Sequence, residues 1–290
     1  MARPEICGDL AASGIVFGGV RVDALEGSAQ VPVDPGGLLD VDLQGRGIRV
    51  GKVDWRNLEL KAEGTPAEHR LDLVLKGEPV AAEASAVAGW SSDSSYAGTL
   101  EQLVLSSAAA GGWRLVEPVA FAAGAQQWSL GQACVESTQG SGSVCLEAGG
   151  EGSDWRGEAR VPRLALGLLA PLLPQGVEME GEVRGEAGFS AIGNRLDGNA
   201  RLDVVSGRSS VDLGDAEQRL DFSGASLQIA ASGGGLGATL GVPLAGLGRL
   251  DAEVRLDDWR LDDPLRSSQP VAGTLKGGVS DLSPLVSVLP

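Results

Sequence analysis

A single histidine, His69, limits the chemistry open to this 290-residue chain. A Ser-His-Asp triad would have to use it as the base. Yet the chain has no G-x-S-x-G nucleophile elbow. His69 stands in Glu68-His69-Arg70, close to a Gly64-Thr65-Pro66 turn signal, and reads as an exposed loop residue. Three cysteines at positions 7, 134 and 145 do not make a zinc spacing, and no P-loop, EF-hand loop or G-x-G-x-x-G unit occurs. Gly233-Gly234-Gly235-Leu236-Gly237 lacks the Asp of a calcium-binding β-roll and reads as a turn or bulge. We therefore expect no catalytic residue, no metal, no cofactor and no enzymatic activity.

The charge excludes other classes. Lys and Arg total 23 against 39 Asp and Glu, a net charge of −16. The basic footprint of a nucleic-acid or anionic-membrane binder is missing, and the acidity reads as a solvated outer face. Apolar residues make up 43% of the chain, enough to bury a large surface. No apolar run reaches the length of a membrane-spanning helix. Met1-Ala2-Arg3-Pro4-Glu5 does not open a signal peptide. The abrupt Leu289-Pro290 end suggests an internal piece of a longer protein.

The elements that would position any site alternate with period two. Leu39, Val41 and Leu43 alternate with Asp40, Asp42 and Gln44; Leu58, Leu60 and Ala62 alternate with Glu59, Lys61 and Glu63. Leu71, Leu73 and Leu75 repeat the pattern, as do Val177 to Gly185, Leu202 and Val204, and Leu250 to Leu256. Each run has one apolar and one polar face, as a half-buried strand requires. Further strands are expected at 98–105, from Trp113 to Phe121, at 127–130, 134–136, 143–147 and 155–161, at Val211/Leu213, Leu220/Phe222 and Leu227/Ile229, and near 271–275. The count is roughly 16 to 20 strands, an all-β pattern with one to three short helices. Leu164, Leu168 and Leu172 predict a short helix at about 164–173, and 281–290 reads as its truncated echo. No stretch resembles an interdomain linker, so residues 1–290 are expected to form one continuous β-structure.

Cys134 and Cys145 flank a Thr138-Gln139-Gly140-Ser141-Gly142 turn. Their spacing suits a cross-strand disulfide; two buried thiols are the alternative. A disulfide would point to an oxidising compartment such as the bacterial periplasm. Cys7 is left without a role.

An ordered series of residues carries a resemblance. It runs Gly98-Thr99-Leu100-Glu101-Gln102-Leu103, then Gly112-Trp113-Arg114-Leu115-Val116-Glu117-Pro118, Cys134-Val135 and Cys145-Leu146. It closes with Leu164-Ala165-Leu166, Leu172-Leu173-Pro174 and Gly181-Glu182-Val183. The series resembles the TamB family, within the AsmA-like superfamily of bridge-like lipid-transfer proteins, over about residues 98–185. Val135 stands where the family usually has Leu. The resemblance implies an elongated β-taco, a sheet folded lengthwise around an apolar groove. It implies a periplasmic segment of a protein anchored in the inner membrane, with an outer-membrane Omp85-type barrel as partner. It implies phospholipid transport toward the outer membrane, with a link to outer-membrane protein assembly. The family's conserved cysteine pair maps onto Cys134 and Cys145.

Alternation then names a groove lining for acyl chains: Leu58, Leu60, Leu71, Leu73, Leu75, Leu103, Leu105, Val183, Leu202, Val204, Leu220, Phe222, Leu227, Ile229, Leu250, Val254 and Leu256. A closed, fully packed core would contradict this expectation. The alternatives are a chaperone-like groove for outer-membrane proteins and a structural or adhesive β-solenoid. The solenoid should show a fixed repeat of 20–30 residues, and none is evident.

Overall fold

Period-two patterning puts all apolar side chains of a segment on one side of the pleat, so these segments gain most by pairing edge to edge in a sheet. A computed structural model describes residues 5–279 except 18, 35, 52, 92–94, 173–176, 213–216 and 261–269. The chain divides into two compact units, 1–140 and 141–290.

The first unit holds β1 (Glu5–Phe17), β2 (Val20–Pro32), β3 (Leu39–Val50), β4 (Val53–Thr65), β5 (Glu68–Glu78), β6 (Val80–Trp90) and β7 (Tyr96–Ser107). It continues with β8 (Gly111–Leu115), β9 (Val119–Ala123) and β10 (Gln127–Ser137). From β1 to β7 each strand pairs antiparallel with the next. Both β8 and β9 then pair with β7 on one side and with β10 on the other. The segment expected as one strand from Trp113 to Phe121 is thus two half-strands. Pro118 in the gap has no N–H for the ladder.

The second unit repeats this arrangement with β11 (Gly142–Glu151), β12 (Asp154–Ala165), β13 (Val177–Ile192) and the long β14 (Arg195–Asp212). Two half-strands, β15 (Glu217–Asp221) and β16 (Ser226–Ser232), share β14 as their partner. The sheet continues through β17 (Gly235–Leu244), β18 (Gly248–Leu256) and β19 (Val271–Val279). The one helical segment described is a 3-10 turn, Leu166–Leu172, against β13. The echo expected at 281–290, and Leu213, lie outside the described residues.

Every described pairing is antiparallel and the fold class is all-β, consistent with the β-taco that the resemblance implies. Four strands, β1, β2, β6 and β17, were not read as such from the sequence. β6 (VAAEASAVAGW) puts Ala on one face and Glu83, Ser85 and Val87 on the other, which mutes the hydropathy contrast. β17 begins at Gly235, inside the glycine run that reads as a turn; the turn itself is Gly233-Gly234.

Among the described residues neither unit builds a second layer over its sheet. Apart from a slight β4–β6 contact and the 3-10 turn on β13, the substantial contacts run between hydrogen-bonded neighbours. The chain exposes 18264 Å². Two separate globules of half its mass would expose only about 14,000 Å² together.

Candidate functional site

Side chains of directly opposed residues on paired strands lie on the same face, so the register defines transverse rows. In the first unit one row runs Ala29, Val41, Ala62, Leu71, Ala86, Leu100 and Val119 across β2 to β9. The next runs Gly27, Leu43, Leu60, Leu73, Ala84 and Leu103, and a third Leu25, Gly45, Leu58, Leu75, Ala82, Leu105 and Trp113. β-bulges at Arg56 and Glu101 keep these rows aligned where a strict alternation would have turned the next residues outward.

These rows are apolar throughout, and large residues sit beside small ones. The buried members are the short ones, Gly45, Ala62, Ala86 and Val119, while the leucines between them stay half-exposed. Among the described residues no large side chain falls below 2% exposure; the small Ala191 does, at 1%. A packed core would hide the leucines and not merely the Cβ atoms between them.

The opposite face is polar and carries exposed ion pairs. Lys61 lies 3.6 Å from Asp42, and Arg70 reaches Asp72 at 3.2 Å, the bulge residue Glu101 at 3.0 Å and the buried Ser85 hydroxyl. Arg114 meets Glu136 at 2.6 Å. Such pairs add little stability individually, but they keep one side of the sheet wet.

His69 contradicts the exposed-loop reading. It lies on β5, only 5% exposed, on the apolar face between Gly64 and Ala88. Nδ1 donates to the Thr65 carbonyl at 3.0 Å, because a carbonyl can only accept. Nε2 therefore accepts from the Tyr96 hydroxyl at 2.8 Å. Burial raises the Tyr96 pKa above its usual value, which holds the phenol in the donating form. The facing Gly64 has φ +141°, and a Cβ there would stand 2.8 Å from the His69 Cα and 3.1 Å from its Cβ. The neighbouring turn signal hid this, since His69 is already the second residue of the strand.

Tyr96 stacks between Trp90, at 4.8 Å between ring centroids, and Phe121, at 6.2 Å. This aromatic cluster was not foreseen, because its members come from three strands separated by up to 31 residues of sequence from Trp90 to Phe121.

The second unit has its own apolar face. One row runs Leu146, Ala159, Ala187, Ala200, Ile229, Ala238 and Val254 across β11 to β18. Beside it lie Gly185, Leu202, Leu227, Leu240, Ala252 and Leu275. Phe189 sits in the row of Gly157, Gly198, Ala231, Leu236 and Leu256. A bulge at Val205 carries the apolar face on to Gly207 and Ser209, opposite Leu220, with Phe222 packed over Gly207. Its polar face bears same-strand ion pairs such as Arg201–Asp203 at 2.7 Å and Arg249–Asp251 at 2.8 Å.

The structure places Leu58, Leu60, Leu71, Leu73, Leu75, Leu103 and Leu105 together on the first face. It places Val183, Leu202, Val204, Leu220, Phe222, Leu227, Ile229, Leu250, Val254 and Leu256 on the second. All are half-exposed except Leu202 and Val254, which are more open still. Sequence reasoning missed the alanines of β6 that form the floor between β5 and β7. Cys134 and Cys145 are joined in a disulfide, and Cys7 is free and exposed. Among the described residues no helix is long and apolar enough to cross a membrane.

Each unit is thus an antiparallel sheet with one wet face and one apolar face that stays half-exposed. The sequence family described as "TamB, N-terminal domain" matches residues 1–290, and the chain belongs to that family, one of cell-envelope transport and assembly components. No curated protein and no solved structure matches the chain.

Proposed function

We propose that the apolar faces carry phospholipid acyl chains between the inner and outer membranes, in the periplasm, as groove segments and not as an enzyme. The observation that carries this reading is the rows of half-exposed leucines with no described residue packed over them. Contiguous apolar patches of this kind are avoided on soluble proteins unless something covers them. An acyl chain covers them without meeting water, and each CH₂ kept dry is worth about 0.8 kcal/mol. Aliphatic Leu, Val and Ala present a smooth wall with no fixed polar partner, which suits cargo that slides. The proposal includes an outer-membrane Omp85-type barrel as the receiving partner and an inner-membrane anchor in the full-length protein.

The test is native mass spectrometry and lipid extraction on the purified chain. Phospholipid should co-purify, and Leu73→Glu or Leu227→Glu should lower the load severalfold while circular dichroism stays strand-rich. Folded variants that keep a full lipid load would overturn the assignment of these faces. Retention of unfolded outer-membrane proteins with no lipid would favour the chaperone-like groove.

A further inference from the structure

One edge of the first unit's apolar face differs from the rest. Trp90 opposes Tyr96, Tyr96 opposes Ala123, and Ala123 opposes Trp128, so three amphipathic aromatics share one transverse row. The neighbouring row inward is His69, Ala88, Gly98, Phe121 and Leu130. Beyond the aromatic row come Ser91, Ser95, Gln126 and Gln127, with the two serine hydroxyls 2.6 Å apart. Polarity thus rises in a fixed order, from aliphatic rows through aromatics to hydroxyls and amides.

The tryptophans of this unit fall into two kinds. Trp55 donates its indole N–H to the Val80 carbonyl at 2.8 Å, and Trp113 donates to the Ala110 carbonyl at 2.9 Å. Trp90 and Trp128 are 56% and 41% exposed, and their indole N–H groups have no partner among the described residues. A large exposed aromatic with a spare donor, standing at the edge of an apolar field, matches the chemistry of the membrane–water interface, where Trp and Tyr meet glycerol and ester groups. Tyr96 between them is held by the His69 hydrogen bond, so the row is preset.

Length and charge agree with one occupant. From Tyr96 the apolar face of β7 extends seven residues to Leu103, about 23 Å at the strand rise. That covers the acyl depth of one bilayer leaflet, about 15 Å. The described residues of this edge include no Lys or Arg, so what they offer is donors for neutral ester oxygens and not a phosphate clamp.

We propose that the Trp90–Tyr96–Trp128 row is the seat for the glycerol–ester region of a bound phospholipid, with its tails laid inward over β5, β6 and β7. This rests on the acyl-carrying role proposed above and adds an orientation to it: lipids lie with their heads at this edge.

The experiment compares the intact protein with a Trp90→Phe/Trp128→Phe variant, both sites being exposed and tolerant. Each is loaded from phosphatidylethanolamine vesicles that contain phosphatidylcholine with a nitroxide either close to the ester or near the chain terminus, and is then separated from the vesicles. Tryptophan fluorescence lost on loading is read as the difference between the two proteins. Quenching of the Trp90/Trp128 emission should be severalfold stronger with the near-ester label. Equal quenching by both labels, or stronger quenching by the terminal label, with lipid bound, overturns the orientation and leaves the acyl-carrying role standing. Failure of either label to load, with no co-purified lipid, overturns both.

Discussion

The two units solve the same packing problem with different fillers. Each sets a ring-bearing residue opposite a glycine of the adjoining strand: His69 opposite Gly64 in the first, Phe189 opposite Gly198 in the second. Both glycines hold positive φ, +141° and +147°. Phe189 is apolar and asks for nothing further. His69 brings two ring nitrogens into an apolar row and recruits Thr65 and Tyr96 to satisfy them. The first unit therefore gains a polar tie and a fixed aromatic edge. The second keeps a plainer and more open face, with Leu202, Leu240 and Val254 all exposed. The lesson is that an uncovered sheet can tolerate a buried polar group only where the surrounding strands supply every partner.

The likeness is best broken at the glycines. Alanine at Gly64 or Gly198 would place a Cβ 2.8 Å from the His69 Cα or 2.7 Å from the Phe189 Cα, at a φ that disfavours any side chain. Each should cost about 2–3 kcal/mol in urea denaturation. Gly8→Ala and Gly188→Ala, where an added Cβ meets nothing within 4 Å, should be near neutral. Equal costs at all four positions would remove this account of the two glycines.

The difference between the units is sharpened at Tyr96. Tyr96→Phe leaves Nε2 of His69 without its donor and should cost about 1–2 kcal/mol, whereas Phe189→Tyr gains no such tie. The same residue sets an alkaline limit. Its pKa is raised in the folded state, so the stability it contributes is complete below the unfolded value, 10.0, and is lost as pH rises through the folded one. Urea midpoints should fall above that pH in the intact protein and more shallowly in Tyr96→Phe.

The smallest effect concerns the second unit in acid. The Arg201 hydrogen bond lowers the Asp203 pKa, and the backbone N–H of Ser223 lowers that of Asp221. Both carboxylates contribute stability above their unfolded values and lose it as pH falls through the lowered folded ones. Hydrogen exchange should show β14 and β15 loosening slightly in acid, an effect absent from Asp203→Asn/Asp221→Asn.

Much of this was legible in the residues, and the omissions have physical causes. Leu71, Leu73 and Leu75 declare a strand and its face because leucine alternates with Asp72 and Lys76. β6 hides its face because alanine offers little apolar surface, and Ala81 and Val87 put apolar residues on the other side as well. The residues drawn from alternation therefore included the leucines of the apolar face but lacked the alanines between them. His69 was misplaced because a turn signal is local, and nothing local shows that Tyr96, from another strand, supplies a partner for its ring.

By itself the sequence determined what is local: strands from alternation, one wet and one apolar side from the placing of charge, and a cysteine pair spaced for a bond. The tertiary structure decided register. Register is a matter of which residues on different strands stand opposite one another, and it depends on bulges such as those at Arg56, Glu101 and Val205 that shift a whole segment by one residue. Only with that alignment do scattered leucines and alanines become continuous rows, and only then do Trp90, Tyr96 and Trp128 meet along one edge.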